Sequence, residues 1–253
     1  MATSTSNRPS IPEPTRTYIP PLRNGDHLSG EEFLRRYEAM PDLKKAELID
    51  GRVYIDSPDS YPTVRGTKMA SPVSFEEHSA PHFDLIGWLA LYRSATPGVR
   101  GGDNGTVCLA PRTMPQPDAM LLIMESHGGQ SRVGADRFLH GAPELVAEVA
   151  YSSVSYDLHE KLEAYRQHGV REYVAWRVEE ASIEWFVLRE GRFDRLKTSE
   201  DGVYRSEVFP GLWLDPSALL RGDLNATLQV LQRGLASPEH ADFVARLKAA
   251  SAR

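Results

Sequence analysis

Two acidic side chains lie within or beside apolar runs. Asp118 follows Pro117 and opens the run AMLLIM, and Glu148 lies late in the run LVAEVA. An ionised carboxylate in such a setting is costly to bury, so it needs a partner cation or a place at the rim of a sheet. Two carboxylates at the ends of neighbouring strands can converge on one divalent ion. Hard ions such as Mg²⁺ or Mn²⁺ take oxygen ligands of this kind and keep several waters. Downstream, Asp157, Lys161 and Tyr165 have i, i+4, i+8 spacing, which lines them along one helix face. Lys161, one turn into that helix, can lean back over the strand end that carries Glu148. A cation there can stabilise charge developing on a phosphate or orient an attacking water. A bound metal would lower the pKa of that water and polarise the phosphoryl oxygen. Glu47, early in another strand, and His78, in the first turn of another helix, are candidates for an extra ligand and a proton-transfer group.

Each residue also has a plain structural reading. Asp118 can finish a turn after its proline. Glu148 can belong to a structural ion pair. Asp157 and Lys161 can be an exposed i, i+4 pair contributing a few tenths of a kcal/mol. His78 can cap its helix, and Tyr165 can pack as scaffold. Spacing alone leaves these readings open.

The elements that must position these groups are legible in the pattern. Ser29 and Glu32 have capping-box spacing before Phe33, Leu34 and Tyr37, which predicts a helix. AELIDGRVYID places two apolar runs around Asp50-Gly51, the signature of a tight hairpin. Residues 57–73 read as a loop. Ser74 and Glu77 repeat the capping spacing and open a long helix to about Ser94, with Leu85, Trp88, Leu89 and Tyr92 on its apolar face. TPGVRGGDNG reads as a turn region. Strands follow at roughly 105–110 and 117–124, then a Gly-rich loop, SHGGQSRVGAD. PELVAEVA is nearly continuous in apolar residues, as expected of a central strand covered on both faces. Ser155 caps a helix to His168, stopped by Gly169. REYVAWRV, SIEWFVL and GRFDRLKT then form a meander with turns at Glu179-Glu180 and Glu190-Gly191. The order of helix, hairpin, helix, strands, helix and strands predicts an α/β or α+β fold, a mixed sheet with helices against it. Residues 1–26, rich in Pro, Ser, Thr and Asn, are expected to form a disordered or loosely attached arm. Residues 27–215 form the main domain, and residues 216–253 a C-terminal helical extension.

Composition narrows the function classes. At 253 residues the chain can bury a sizeable core. No apolar run approaches the roughly 18 residues of a membrane span, and the N-terminus lacks the apolar core of a secretory signal. Cys108 is the sole cysteine, which excludes an intrachain disulfide and a cysteine-based zinc site and suits a buried strand residue. The expected setting is cytoplasmic. The net charge of −6 argues against strong non-specific nucleic-acid binding, yet leaves room for a local basic groove.

Taken in order, ELIDGRVY, SPVSFEEH, PQPDAMLLI, GAPELVAEVAYSS, D-x-x-x-K-x-x-x-Y and GVREY closely resemble one family over about residues 33–185. These are the Uma-type restriction endonucleases of the PD-(D/E)XK nuclease superfamily. The resemblance implies a restriction-endonuclease-like mixed sheet flanked by helices and an Mg²⁺- or Mn²⁺-dependent endonuclease acting on DNA. Pro117-Asp118 matches its PD element, and Glu148 its second acidic position. The lysine usual two residues later is missing, because that position is Ala150, and Lys161 on the following helix matches the family's lysine. Glu47 matches an early acidic residue, His78 a helix histidine and Asp157 the acidic residue before the lysine. Asp118, Glu148 and Glu47 are then the metal ligands, with Lys161 and His78 beside them. The loop before SPVS, with Arg65 and Lys68, is longer than this pattern expects. A homodimer would follow if both strands of a duplex are cut. Two rivals stand beside this reading. One is a catalytically inactive nuclease-fold module with a DNA-associated regulatory or scaffold role. The other is a paired-carboxylate hydrolase of sugars, which would need an aromatic-lined cleft, whereas Trp88, Trp176, Trp185 and Trp213 sit where core packing explains them.

Overall fold

The computed structural model describes residues 18–55, 74–150 and 157–252. The predicted loop at 57–73 and the Ser155 cap fall outside these residues. Helix α1 (Gly30–Glu38) starts at Ser29, whose side chain accepts the Glu32 N–H. The hairpin follows as β1 (Ala46–Ile49) and β2 (Arg52–Ile55), paired from Ala46↔Ile55 to Ile49↔Arg52. Asp50 and Gly51 turn it with φ of 49° and 82°, the positive angles that match the twist of the two strands. The end of the expected arm is held to this hairpin. Leu22 is buried against Phe33, Leu48 and Val53, and the Gly25 N–H donates to the Val53 carbonyl.

The long helix predicted from Ser74 begins differently. Ser74 caps it, but residues Phe75–Ser79 form a π-helical turn before α2 (Ala80–Ala95). Pro81 supplies a reason. It has no N–H to donate, and in an α-helical turn its ring would press on the carbonyl four residues back. The wider turn, in which the Ala80 N–H reaches the Phe75 carbonyl, relieves this crowding.

The strands β3 (Val99–Gly102), β4 (Val107–Cys108), β5 (Ala119–Ile123), β6 (Arg132–Val133), β7 (Leu139–His140) and β8 (Leu145–Ala150) follow. Helix α3 (Asp157–Gln167) leads to β9 (Glu172–Arg177), β10 (Ser182–Arg189), β11 (Arg192–Arg195), β12 (Tyr204–Arg205) and β13 (Trp213–Leu214). Three helices end the chain, α4 (Pro216–Leu220), α5 (Leu224–Leu235) and α6 (Pro238–Ser251). The main sheet has the order β11-β10-β9-β8-β5-β3. Only β8 and β9 are parallel within it, and α3 supplies the crossover that a parallel pair requires. Strand β3 lies in the stretch read as a turn. Its Gly101 and Gly102 look like turn residues, but they let this edge strand lie close to β5. A Cβ on Gly102 would sit 3.2 Å from Met120 side-chain atoms.

Alternation divides the sheet into two faces. One carries Ala119, Leu121, Leu145, Ala147, Val149, Val174 and Trp185, covered by Leu85, Trp88 and Tyr92 of α2. Leu219, Leu231, Phe243 and Leu247 of the last three helices join that same core, so the C-terminal helices share it with the sheet. Trp88 meets Trp185 edge-to-face at 5.9 Å and donates its indole N–H to the Trp213 carbonyl, as core aromatics do. The other face carries Val146, Tyr173 and Ala175 under Tyr165 of α3. Glu148, one step along β8 from Ala147 and two from Val146, belongs to this second face.

Candidate active site

Asp118 precedes β5 in the residue position opposite Glu148, since Ala119 pairs with Ala147. Period-2 alternation therefore places both carboxylates on the α3 side of the sheet. Asp118 is 3% exposed and Glu148 5%. Each takes a backbone N–H from the other strand. The Val149 N–H donates to Asp118 Oδ2 at 2.9 Å, and the Asp118 N–H donates to Glu148 Oε2 at 3.4 Å. Glu47 reaches them from β1, where its Oε1 accepts the Gln116 N–H at 2.7 Å. Hairpin, β5 and β8 thus deliver one buried acid each to the same place.

Two ammonium groups hold these acids. Lys161 Nζ lies 2.9 Å from Glu47 Oε2 and 3.3 Å from Glu148 Oε1, so it bridges the hairpin and the central strand. Lys45 Nζ lies 2.8 Å from Asp118 Oδ1. The Tyr165 hydroxyl, one turn beyond Lys161, donates to Glu148 Oε1 at 2.8 Å. Burial raises the pKa of Glu148, with the Asp118 charge adding to it against the pull of Lys161. Burial would raise Asp118 too, but Lys45 and Lys161 outweigh it and hold that carboxyl below its usual value. Burial works against the Lys161 ammonium, yet Glu148, Glu47 and Asp118 together keep it charged well past its ordinary range.

Of the residues singled out in the sequence, the structure brings together Asp118, Glu148, Lys161 and Glu47. Among the described residues, no hydrogen bond or ion pair joins the His78 side chain to the carboxylates. Its ring stacks on His82 at 5.6 Å, and it is His82 Nε2 that lies 2.9 Å from the Asp118 carbonyl oxygen and 3.2 Å from Asp103 Oδ1. The side chain of Asp157 lies outside the described residues. Sequence reasoning missed Lys45, and the signal was there. It lies two residues before Glu47 in an extended stretch, which puts both on one side. It also missed His82, one helical turn beyond His78, and treated Tyr165 as packing alone.

The donor set suits a hard cation. All three acids offer oxygen, with no sulfur, and three carboxylates against two ammonium groups leave one negative charge uncompensated. Among the described residues no three His, Cys, Asp or Glu side chains stand ready-assembled around a point that could hold an ion. Lys161 lies between Glu47 and Glu148, so coordination there requires its ammonium to move aside. The residues fit a divalent ion in kind and charge, with Asp118, Glu148 and Glu47 as the available ligands.

Comparison with known proteins agrees with this architecture. A solved structure, described as a putative nuclease belonging to DUF820 from Anabaena variabilis, superposes with a TM-score of 0.53 at 14% identity, covering 77% of this chain and 98% of that one. At that identity the likeness speaks for the fold, a mixed sheet flanked by helices. No curated protein matches the sequence. No helix among the described residues is long and apolar enough to cross a membrane. The family profile named Uma2, described as "Putative restriction endonuclease", matches residues 31–217, which include every acid and lysine of the cluster. With well over half of its length matched, the chain belongs to the Uma2 family.

Proposed function

We propose that the chain is a divalent-metal-dependent endonuclease of the PD-(D/E)XK type that hydrolyses DNA phosphodiester bonds. The observation that carries this reading is the convergence of Glu47, Asp118 and Glu148, from three separate elements, on two half-buried lysines. Asp118, Glu148 and Glu47 would hold Mg²⁺ or Mn²⁺, which when bound would acidify a water and polarise a phosphoryl oxygen. The chain's own residues prepare that chemistry. The Val149 and Gln116 N–H groups fix one oxygen each of Asp118 and Glu47, and Tyr165 fixes one of Glu148. Lys161, freed from one of its two acids, can turn an N–H toward a non-bridging phosphate oxygen as charge grows there. Lys45 stays on Asp118 and keeps it ionised. Cutting both strands of a duplex calls for two such centres, which a homodimer would supply.

The test is cleavage of plasmid DNA by the purified chain in Mg²⁺ or Mn²⁺. Asp118→Ala and Glu148→Ala should each abolish nicking while the circular dichroism spectrum is kept. Cleavage that survives both changes would remove this site from the reaction. A second reading, a nuclease-fold module without catalysis, is favoured by one observation. Lys161 and Lys45 already neutralise most of the acidic charge. Calorimetric titration separates the two, because such a module would take up neither Mg²⁺ nor Mn²⁺.

A further inference from the structure

Ala150 stands where the nuclease pattern usually has its lysine, and the next strand fills the neighbourhood. In the parallel pair, Glu148 lies opposite Ala175 and Ala150 opposite Arg177. Arg177 therefore shares a sheet face with Glu148, one strand over and two residues along, about 8 Å away by sheet geometry. The same face continues outward. Glu184 lies opposite Ala175 on β10, and Arg195 lies opposite Phe186 on β11. Glu184 joins the two arginines, with Arg177 Nη2 at 3.1 Å from its Oε2 and Arg195 paired to its Oε1. Arg195 also lies over the Phe186 ring at 5.8 Å, which fixes a side chain that is otherwise 70% exposed.

The chemistry of Arg177 is incomplete as it stands. Its Nε is buried and, among the described residues, donates to no acceptor. A buried, charged donor without an acceptor costs free energy, and a guanidinium offers its donors as a fork that matches a phosphate. One carboxylate shared between two arginines leaves a net positive charge on this strip, in a chain that is acidic as a whole.

We propose that Arg177, with Arg195 beyond it, binds backbone phosphates of nucleic acid beside the acidic cluster, making the α3 face of β9 to β11 the track along which substrate leaves the centre. This inference rests on the site being a nucleic-acid site, and it requires no turnover. Its test is the equilibrium binding of a labelled duplex oligonucleotide by the full chain in Ca²⁺, followed by anisotropy across about 50 to 200 mM salt. Arg177→Met should weaken binding several-fold and lower the slope of log K against log salt by about 1, and Arg195→Ala should lower it by a similar amount. Arg177→Lys, which keeps the charge, should restore most of the slope. A folded Arg177→Met with the wild-type slope would overturn the proposal, because a purely structural clamp on Glu184 changes stability and not counterion release. If Arg177→Met does not fold, an unchanged slope in Arg195→Ala overturns it. Salt-dependent binding that responds to these changes, in a protein that never cuts, would leave the phosphate track standing and remove only the catalytic reading. Absence of salt-dependent binding by the wild-type chain would overturn both.

Discussion

The sheet buries acids at both ends, and it satisfies them in opposite ways. At one end, Glu144 accepts the Ile123 and Gln130 N–H groups on its two oxygens, and Glu172 accepts the Glu207 and Val208 N–H groups and the Ser206 hydroxyl. Both are fully buried. At the other end, Glu47, Asp118 and Glu148 take one backbone N–H each and give their remaining oxygens chiefly to Lys45, Lys161 and Tyr165. A backbone N–H cannot withdraw without unfolding its strand or loop. An ammonium on a four-carbon stem can swing away and be replaced by another cation. The first pair of acids therefore ties loops to the sheet, and the second set is exchangeable, as the proposed centre for metal and phosphate requires.

The contrast can be broken or sharpened experimentally. The largest effect is expected at the lysine-held end. Asp118→Asn should lower metal-dependent cleavage by on the order of 10³-fold or more with little change in melting temperature. An Asn variant that cuts normally would end the distinction. At the clamped end, Glu144→Ala orphans two backbone donors and should cost roughly 4 kcal/mol in urea unfolding, while cleavage per folded molecule is retained. If that variant is as stable as wild type, the clamp has no energetic meaning.

A third measurement uses acidity. Burial pushes Glu172 up to about 7, against the hydrogen bonds from Ser206, Glu207 and Val208 that lower it, from an ordinary value of 4.5. The folded state then binds more protons than the unfolded chain between these values. The contribution of Glu172 to stability is unpenalised below pH 4.5 and falls as pH rises through about 7, by roughly 3 kcal/mol in total. Comparing unfolding at pH 5 and pH 8 should show that fall in wild type and a shallower one in Glu172→Gln; equal pH slopes would contradict it. The smallest effect is expected for Tyr165→Phe, which removes one hydrogen bond to Glu148 and should cost about 1 kcal/mol, with cleavage reduced a few-fold. No change in either would return Tyr165 to simple packing.

Much of this comparison was legible before any coordinates. Glu148 is conspicuous because an acid in LVAEVA has no cheap way to be buried, and Asp118 because it opens AMLLIM. Asp50-Gly51 announced the hairpin that carries Glu47. The clamped acids were not legible. Glu144 follows a proline and Glu172 follows an arginine, which reads as a loop end and a strand start, and their partners lie 14 to 36 residues away. The edge strand β3 was hidden by its glycines and the π-helical turn by Pro81, both of which act through neighbours more than through pattern.

The sequence by itself determined most of the elements and their faces, since apolar period, capping spacing and turn residues act over a few neighbouring positions. It also determined which groups carry charge. Only the tertiary structure decided who neutralises whom. That Lys161 bridges Glu47 and Glu148, that Lys45 takes Asp118, and that Arg177 stands opposite Ala150 all depend on strand order and register, set by burying one whole face of each strand at once.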